Sequence, residues 1–231
     1  MEKAIKVVVF NHNNKIEAEN LYAHLSLGFK DVELWDSGSN KDQLAKYTTH
    51  SFGNIYVTGA WDYAVKNYKD WDAVWLVHSD VKMINTAQQI KAAIESAYPF
   101  GCWSPCLNGR AHDYMQAKHF KGQYSGLVSV KNIESQCMAF SGPLMNDIGE
   151  MIQGSKYGFG YDFWLCYRAR LMGLKNYIDG RVMAYHPEGT GYSIEEANQE
   201  QFRIFSAKYG PNFYKDIFEF SPDFIGNLSQ Q

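Results

Sequence analysis

Near the start of the chain, Val7-Val8-Val9-Phe10 follows Lys6 with no alternation of apolar and polar residues. A strand with one wet face would alternate, so this run reads as a strand covered on both faces, as in a parallel sheet packed between helices. Asn11-His12-Asn13-Asn14 breaks the run. Ile16, Leu21 and Leu25 then recur on one helical face, Gly28 terminates the helix, and Val32-Glu33-Leu34-Trp35 begins a second strand. That is a βαβ opening, and parallel strands joined through helices commit the chain to an α/β class. Ile55-Tyr56-Val57 and Ala73-Val74-Trp75-Leu76-Val77 read as further strands around a helix from about Trp61 to Tyr68, and Ala87 to Ala97 reads as a helix.

The second half is less regular. Gly101-Cys102-Trp103-Ser104-Pro105 reads as a short strand or loop, and the polar, glycine-broken stretch Asn108 to Gln123 as a mobile excursion. Leu127–Val130 and Gln136–Phe140 resemble strands of mixed direction, and a helix is expected from about Asp162 to Met172. Asn176–Asp179 and Val182–Tyr185 return to the sheet as two strands, and Ile194 to Tyr209 forms a helix with Phe202 and Phe205 inward. The expected domain is single, residues 1–231, with a binding half over about 1–100, a catalytic half over about 101–210 and a tail from 211 to 231. A chain of 231 residues with 45% hydrophobic content is large enough to bury such a core.

Composition removes several function classes. A net charge of -3 offers no broad basic face, so general nucleic-acid binding is not expected. No apolar stretch approaches the roughly 20 residues of a membrane span and no signal segment is recognisable, so a soluble, cytoplasmic protein is expected. Cys102, Cys106, Cys137 and Cys166 lack the paired spacing of a zinc ribbon and read as buried free thiols.

In an open α/β sheet, ligands sit beyond the carboxyl ends of the strands, which directs attention to polar strand endings. Three stand out: Asn11-His12-Asn13, Asp36-Ser37-Gly38-Ser39 and His78-Ser79-Asp80. Asp36-Ser37-Gly38-Ser39 is also ordinary turn composition, and an aspartate such as Asp80 can merely cap the next element. A divalent cation on a diphosphate, however, needs only one or two protein oxygens, sometimes with an imidazole, because phosphate and water complete its shell. Asp80 with His186, from the Tyr185-His186-Pro187-Glu188-Gly189 loop, meets that need. Asp162, entering a helix after Gly158 and Gly160, is either a helix cap or a carboxylate presented for chemistry. Together these residues point to a metal-assisted transferase.

The pattern resembles the family-two glycosyltransferases of the GT-A fold, a single-domain, Rossmann-like architecture with a mixed, mainly parallel central sheet flanked by helices. Lys6 to Asn13 is similar to their opening strand, Asp36-Ser37-Gly38-Ser39 to their Asp-x-Gly-Ser turn, and His78-Ser79-Asp80 to their Asp-x-Asp motif. Tyr161-Asp162, with Arg168, Arg170 and Gly173, is similar to their Glu-Asp helix start, and His186 with Gly189 and Ser193 to their closing loop. The likeness covers about residues 5 to 210. It implies transfer of a sugar from a nucleotide-sugar, UDP-linked and such as UDP-glucose, to an acceptor hydroxyl, with Mn²⁺ or Mg²⁺ as cofactor and inversion at the anomeric carbon. Asp36 would contact uridine, Asp80 and His186 the metal, and Asp162 would be the base. Asn11, His12, Asp62, His78 and Ser79 complete the implied donor site.

His78 stands where the family has its first motif aspartate, and Tyr161 where it has a glutamate. Those departures keep open a binding module that recognises nucleotide or glycan without turnover. A sugar nucleotidyltransferase is a weaker rival, because Asn11-His12-Asn13-Asn14-Lys15 lacks the glycine-rich loop that cradles a triphosphate.

Overall fold

The computed structural model describes residues 2–107, 126–187 and 193–217. The expected excursion at Asn108–Gln123, Gly189 of the closing loop, and most of the 211–231 tail lie outside the described residues.

Among the described residues nine strands form one sheet in the order β3-β2-β1-β4-β8-β6-β9-β5, with β7 also paired to β9. They are β1 (Ile5–Asn11), β2 (Val32–Ser37), β3 (Thr48–Phe52), β4 (Ala73–His78), β5 (Lys82–Met83), β6 (Cys102–Leu107), β7 (Leu127–Val130), β8 (Cys137–Ser141) and β9 (Asn176–Tyr185). β1 is buried at every residue, as its unbroken apolar run requires. β1 to β4, β6 and β9 share one direction, and β5, β7 and β8 oppose it. The fold is therefore α/β with a mixed sheet, as expected.

Helices cover both faces. α1 (Lys15–Ser26) and α3 (Ala87–Ala97) bury Ala18, Leu21, Leu25, Ile90 and Ile94 on one face, with Trp75 and Trp103 of the sheet. On the other lie α2 (Tyr56–Asn67), α4 (Gly142–Ile148), α5 (Tyr161–Leu171), α6 (Ile194–Tyr209) and α7 (Phe213–Ile217), around Trp35, Trp61, Phe140 and Phe205. Thr86 and Gln89 close a capping box at the start of α3. Gly28 serves close approach as well as termination: a Cβ there would lie 2.6 Å from the backbone of Ala87. All four cysteines are free and buried. Among the described residues no helix is long and apolar enough to cross a membrane.

Five readings need correction. Ile16 and Phe202, expected on the inward faces of α1 and α6, are 68% and 49% exposed. Ile55-Tyr56-Val57 is not a strand; Ile55 precedes α2, and the third parallel strand is Thr48–Phe52. That strand lies at the sheet edge and is only half covered, so it alternates: His50 and Phe52 turn inward against Trp35 while Thr49 and Ser51 face water. The two expected strands at Asn176–Asp179 and Val182–Tyr185 are one, β9, with a register shift against Pro105 and Cys106. Part of the expected tail is helical, and Phe213 of α7 stacks on Phe205.

Candidate functional site

The sheet order reverses at β1, whose neighbours β2 and β4 are reached by connections running in opposite directions. In open α/β sheets ligands bind at such a point, beyond the carboxyl ends of the strands. Because β8 is antiparallel to β4, its start and not its end lies there. The ends of β1, β2, β4 and β9 and the entrance to β8 thus converge.

On the β1 and β2 side, Asn11 is fully buried. Its Nδ2 donates to Asp36 Oδ1 at 3.1 Å, Ser39 Oγ at 3.3 Å and the Gln43 carbonyl at 3.4 Å. Its Oδ1 accepts from Asn14 N, and Asp36 Oδ2 accepts from Ser39 N at 3.0 Å. Both oxygens of Asp36 are therefore engaged within the protein and the residue is buried, so a direct contact to a base would have to use the lone pairs these bonds leave over. Asp36 shapes the turn on which exposed His12, Asn13 and Gly38 are presented. His12 Nδ1 donates to the Ser37 carbonyl at 2.7 Å, which fixes its ring beside the turn. Ser79 is buried, and its N–H donates to the Phe10 carbonyl, extending the β1–β4 ladder beyond the strand ends. Asp62 lies outside this group: its carboxylate accepts from Met151 N and Gln153 Nε2 and pairs with Lys66, which ties the 150–153 segment to α2.

On the β4 and β9 side, His78, Asp80 and His186 come together, with one ligand atom from each lying within 4.8 Å of the others. His186 Nε2 is 3.3 Å from Asp80 Oδ2. His78 Nε2 and Asp80 Oδ1 are buried with no hydrogen-bond partner among the described residues. Burial pushes the His78 imidazole down to about 4, with His186 adding to the effect and Asp80 opposing it, so His78 is neutral near pH 7 and its ring nitrogen can ligate. Burial alone would raise the Asp80 carboxyl, but the His186 hydrogen bond and the two imidazoles outweigh it and hold the group below its ordinary range. An ionised carboxylate, a neutral imidazole and a second imidazole, two of them with orphaned atoms, form a donor set that fits a divalent cation. His78 thus joins the expected pair Asp80 and His186.

Asp162 is placed by the glycines before it. Gly158 has φ +73°, and a Cβ there would fall 2.5 Å from Thr58 Oγ1, so the chain passes close against α2. Gly160, in the left-handed region, caps α5, which makes Asp162 the second helical residue and not the cap. Its Oδ1 accepts from Phe163 N at 2.9 Å. Burial raises its carboxyl to about 7, against the lowering effect of backbone hydrogen bonds from Phe163 and Ser135. Tyr161, where a glutamate was expected by resemblance, is fully buried and donates its hydroxyl to the Ile152 carbonyl.

Ser135 and Gln136 link the two clusters. The Ser135 backbone reaches Asp162, and the Gln136 carbonyl accepts from His78 N at 2.9 Å. Nothing in Glu134-Ser135-Gln136 marks this in the sequence, since it follows only from the antiparallel insertion of β8. A separate open hollow at the opposite ends of the strands, lined by Glu2, Lys3, Lys30 and Lys91, has Glu2 paired to both Lys30 and Lys91.

No protein-family model matches the sequence, and no curated protein matches it. Solved structures do. GalNAc-T7, determined with UDP, GalNAc and Mn²⁺, superposes with a TM-score of 0.62 at 13% identity over 99% of this chain. The fold is GT-A. Residues 1–349 of S. aureus TarS, in complex with UDP-GlcNAc, give a TM-score of 0.60 at 14% identity, again over 99% of this chain. The chain spans 54% of the GalNAc-T7 chain and 76% of the TarS chain.

Proposed function

We propose that this protein transfers a sugar from a nucleotide-sugar, with uridine as its base, to an acceptor hydroxyl. The observation that carries this reading is the meeting of His78, Asp80 and His186 at the ends of β4 and β9, joined through Gln136 and Ser135 to a buried carboxylate raised to about 7. The GT-A fold and neighbours determined with UDP, Mn²⁺ or UDP-GlcNAc support it. The likeness to family two in particular rests on the motifs themselves. We assign the nucleotide to the half formed by residues 1–100 and the acceptor to the half formed by 101–210, within one catalytic domain.

His78, Asp80 and His186 would hold a divalent cation, which supplies positive charge to a departing diphosphate. Two imidazoles beside one carboxylate favour Mn²⁺ over Mg²⁺, because Mg²⁺ prefers an all-oxygen shell. Asp162 takes the proton of the incoming hydroxyl, and its raised carboxyl binds that proton near neutral pH. With the base opposite the leaving group, a single displacement inverts the anomeric carbon. The turn organised by Asn11 and Asp36 presents His12 and Asn13 toward the nucleoside, with Ser79 at the floor.

The second reading is a binding module without turnover. It is favoured by Tyr161, whose buried hydroxyl is committed to Ile152 and brings no acid to the site. Incubation with a panel of nucleotide-sugars and Mn²⁺, followed by measurement of free nucleotide, separates the two. Nucleotide release abolished by chelation supports the transferase; metal-dependent UDP binding with no release under any acceptor supports the module. Absence of any metal-dependent nucleotide binding would overturn the transferase and the nucleotide-binding module alike, leaving only a glycan-binding module.

A further inference from the structure

Val77 of β4 stands opposite Cys137 of β8, and both side chains lie in the core beneath α1 and α3. Side chains alternate along a strand, so the next residues, His78 and Gln136, turn to the other face. Leu76 and Met138 lie there already, and α5 packs on it through Trp164, Leu165 and Cys166. The hydrogen bond from His78 N to the Gln136 carbonyl keeps the two residues in register past the last paired step. One residue earlier, the Ser135 backbone meets Asp162. Gln136 is thus held between the cation cluster and the carboxylate at the helix start, with His78 on one side and the neighbour of Asp162 on the other.

Its side-chain oxygen Oε1 is buried and has no hydrogen-bond partner among the described residues. A buried acceptor left unsatisfied is costly, and one that lies beside a cation cluster and a buried carboxylate is placed to take its donor from a ligand. In a transferase the group between the diphosphate-binding end and the base is the sugar in transit. Resting on the proposed transferase reading, we infer that Gln136 is a specificity-determining residue that accepts a hydrogen bond from a hydroxyl or acetamido N–H of the transferred sugar. An acceptor oxygen in a dry position rejects a donor sugar lacking the matching O–H or N–H, because the amide is then left unpaired.

The test uses the whole protein with Mn²⁺ and donor hydrolysis as readout, so that no acceptor is needed. Gln136→Leu keeps the approximate volume and removes the acceptor atom; Gln136→Ala is the second variant should the first fail to fold. Release of UDP is measured from UDP-glucose, from its singly deoxygenated analogues and from UDP-GlcNAc, beside calorimetric titration with UDP alone. The expected result is unchanged UDP affinity and a fall in kcat/KM for the preferred UDP-sugar of about 5- to 150-fold. In addition, the one analogue that the parent rejects should be used by the variant as well as the full sugar. A fold-wide structural role would not move that single preference. Variants that discriminate among the sugars as the parent does, while UDP binds normally, overturn the assignment to Gln136 and leave the transferase reading standing. A parent that binds no UDP overturns the transferase reading and this inference with it.

Discussion

Asn11 and Asp36, at the ends of β1 and β2, are buried polar residues whose hydrogen bonds are met inside the protein; at the end of β4, His78 Nε2, Asp80 Oδ1 and Gln136 Oε1 are buried and unmet among the described residues. The first region is complete once the chain has folded. The second keeps atoms that water, an ion or a ligand must satisfy, at a cost of about 1–3 kcal/mol for each neutral group left unpaired. Substitutions in the first region should therefore act on stability, and those in the second on ligands and rate. Four measurements can break that division.

The largest effect is expected at Asp162. Asp162→Asn should reduce transfer by roughly two to four orders of magnitude while UDP binding with Mn²⁺ stays at the parental level. The same substitution should stabilise the protein above neutral pH. A carboxyl raised to about 7 in the fold binds its proton more tightly there than in the unfolded chain, so stability falls as pH rises from about 4 to about 7 and the penalty is full above that. Thermal unfolding at about pH 8 should show Asp162→Asn above the parent, with the difference vanishing near about pH 4. Parental activity should rise with pH through about 7 as the base ionises. A variant that is slow but no more stable at alkaline pH would mean that Asp162 is not held ionised in a dry site.

Next in size is the cation cluster. Asp80→Ala should cost more in Mn²⁺-dependent nucleotide affinity than the ~10–100-fold typical of losing an outer-shell partner, with little change in melting temperature. His186→Ala should follow in the same direction but less severely. His78→Asp should retain nucleotide binding and shift the preference from Mn²⁺ toward Mg²⁺, because an oxygen replaces an imidazole nitrogen. Calorimetry across both metals reads all three. An unchanged metal preference would show that His78 only fills the strand end.

Asp36→Ala probes the other region. It strips partners from Asn11 Nδ2 and Ser39 N, so the melting temperature should drop by about 2–4 °C for each kcal/mol lost, and nucleotide affinity should fall only as the turn loosens. A large loss of UDP affinity with no loss of stability would return Asp36 to the direct contact that the family resemblance implies. The smallest effect belongs to Asp62→Ala. Removing this partly buried carboxylate from Lys66 and the 150–153 segment should change stability by within about 1 kcal/mol and leave UDP binding as it is.

The same division explains how far the sequence could be read. β1, α1, β4 and α3 were legible because burial on a sheet or on one helical face leaves a period in the residues, and Ile194 to Tyr209 agrees with α6 to the residue. Asp80 and His186, which the structure brings together with His78, could be singled out by residue type at strand ends, and Asp162 by its place at a helix start. The edge strand β3 was missed because Ile55-Tyr56-Val57 is more apolar than Thr48–Phe52, although the latter carries the alternation. Gln136 was invisible for another reason: its position depends on which strand lies beside β4, and pairing across some sixty residues leaves no local trace. His78 looked like a departure from a motif until His186 was seen to stand against the same carboxylate.

Insertion of β8 between β4 and β6 also governs when the site comes into being. During synthesis β1 to β4 can pair as they emerge, but β4 keeps an open edge until β8 arrives, and His186 appears only after β9 has been made. A cation held by all three ligands binds the finished sheet and nothing earlier, so by mass action it stabilises the completed fold without favouring any partial one. On the proposed reading the ion would then act as a latch on maturation: a chain stalled before residue 186 would lack the third ligand and could not assemble the site that the finished sheet provides.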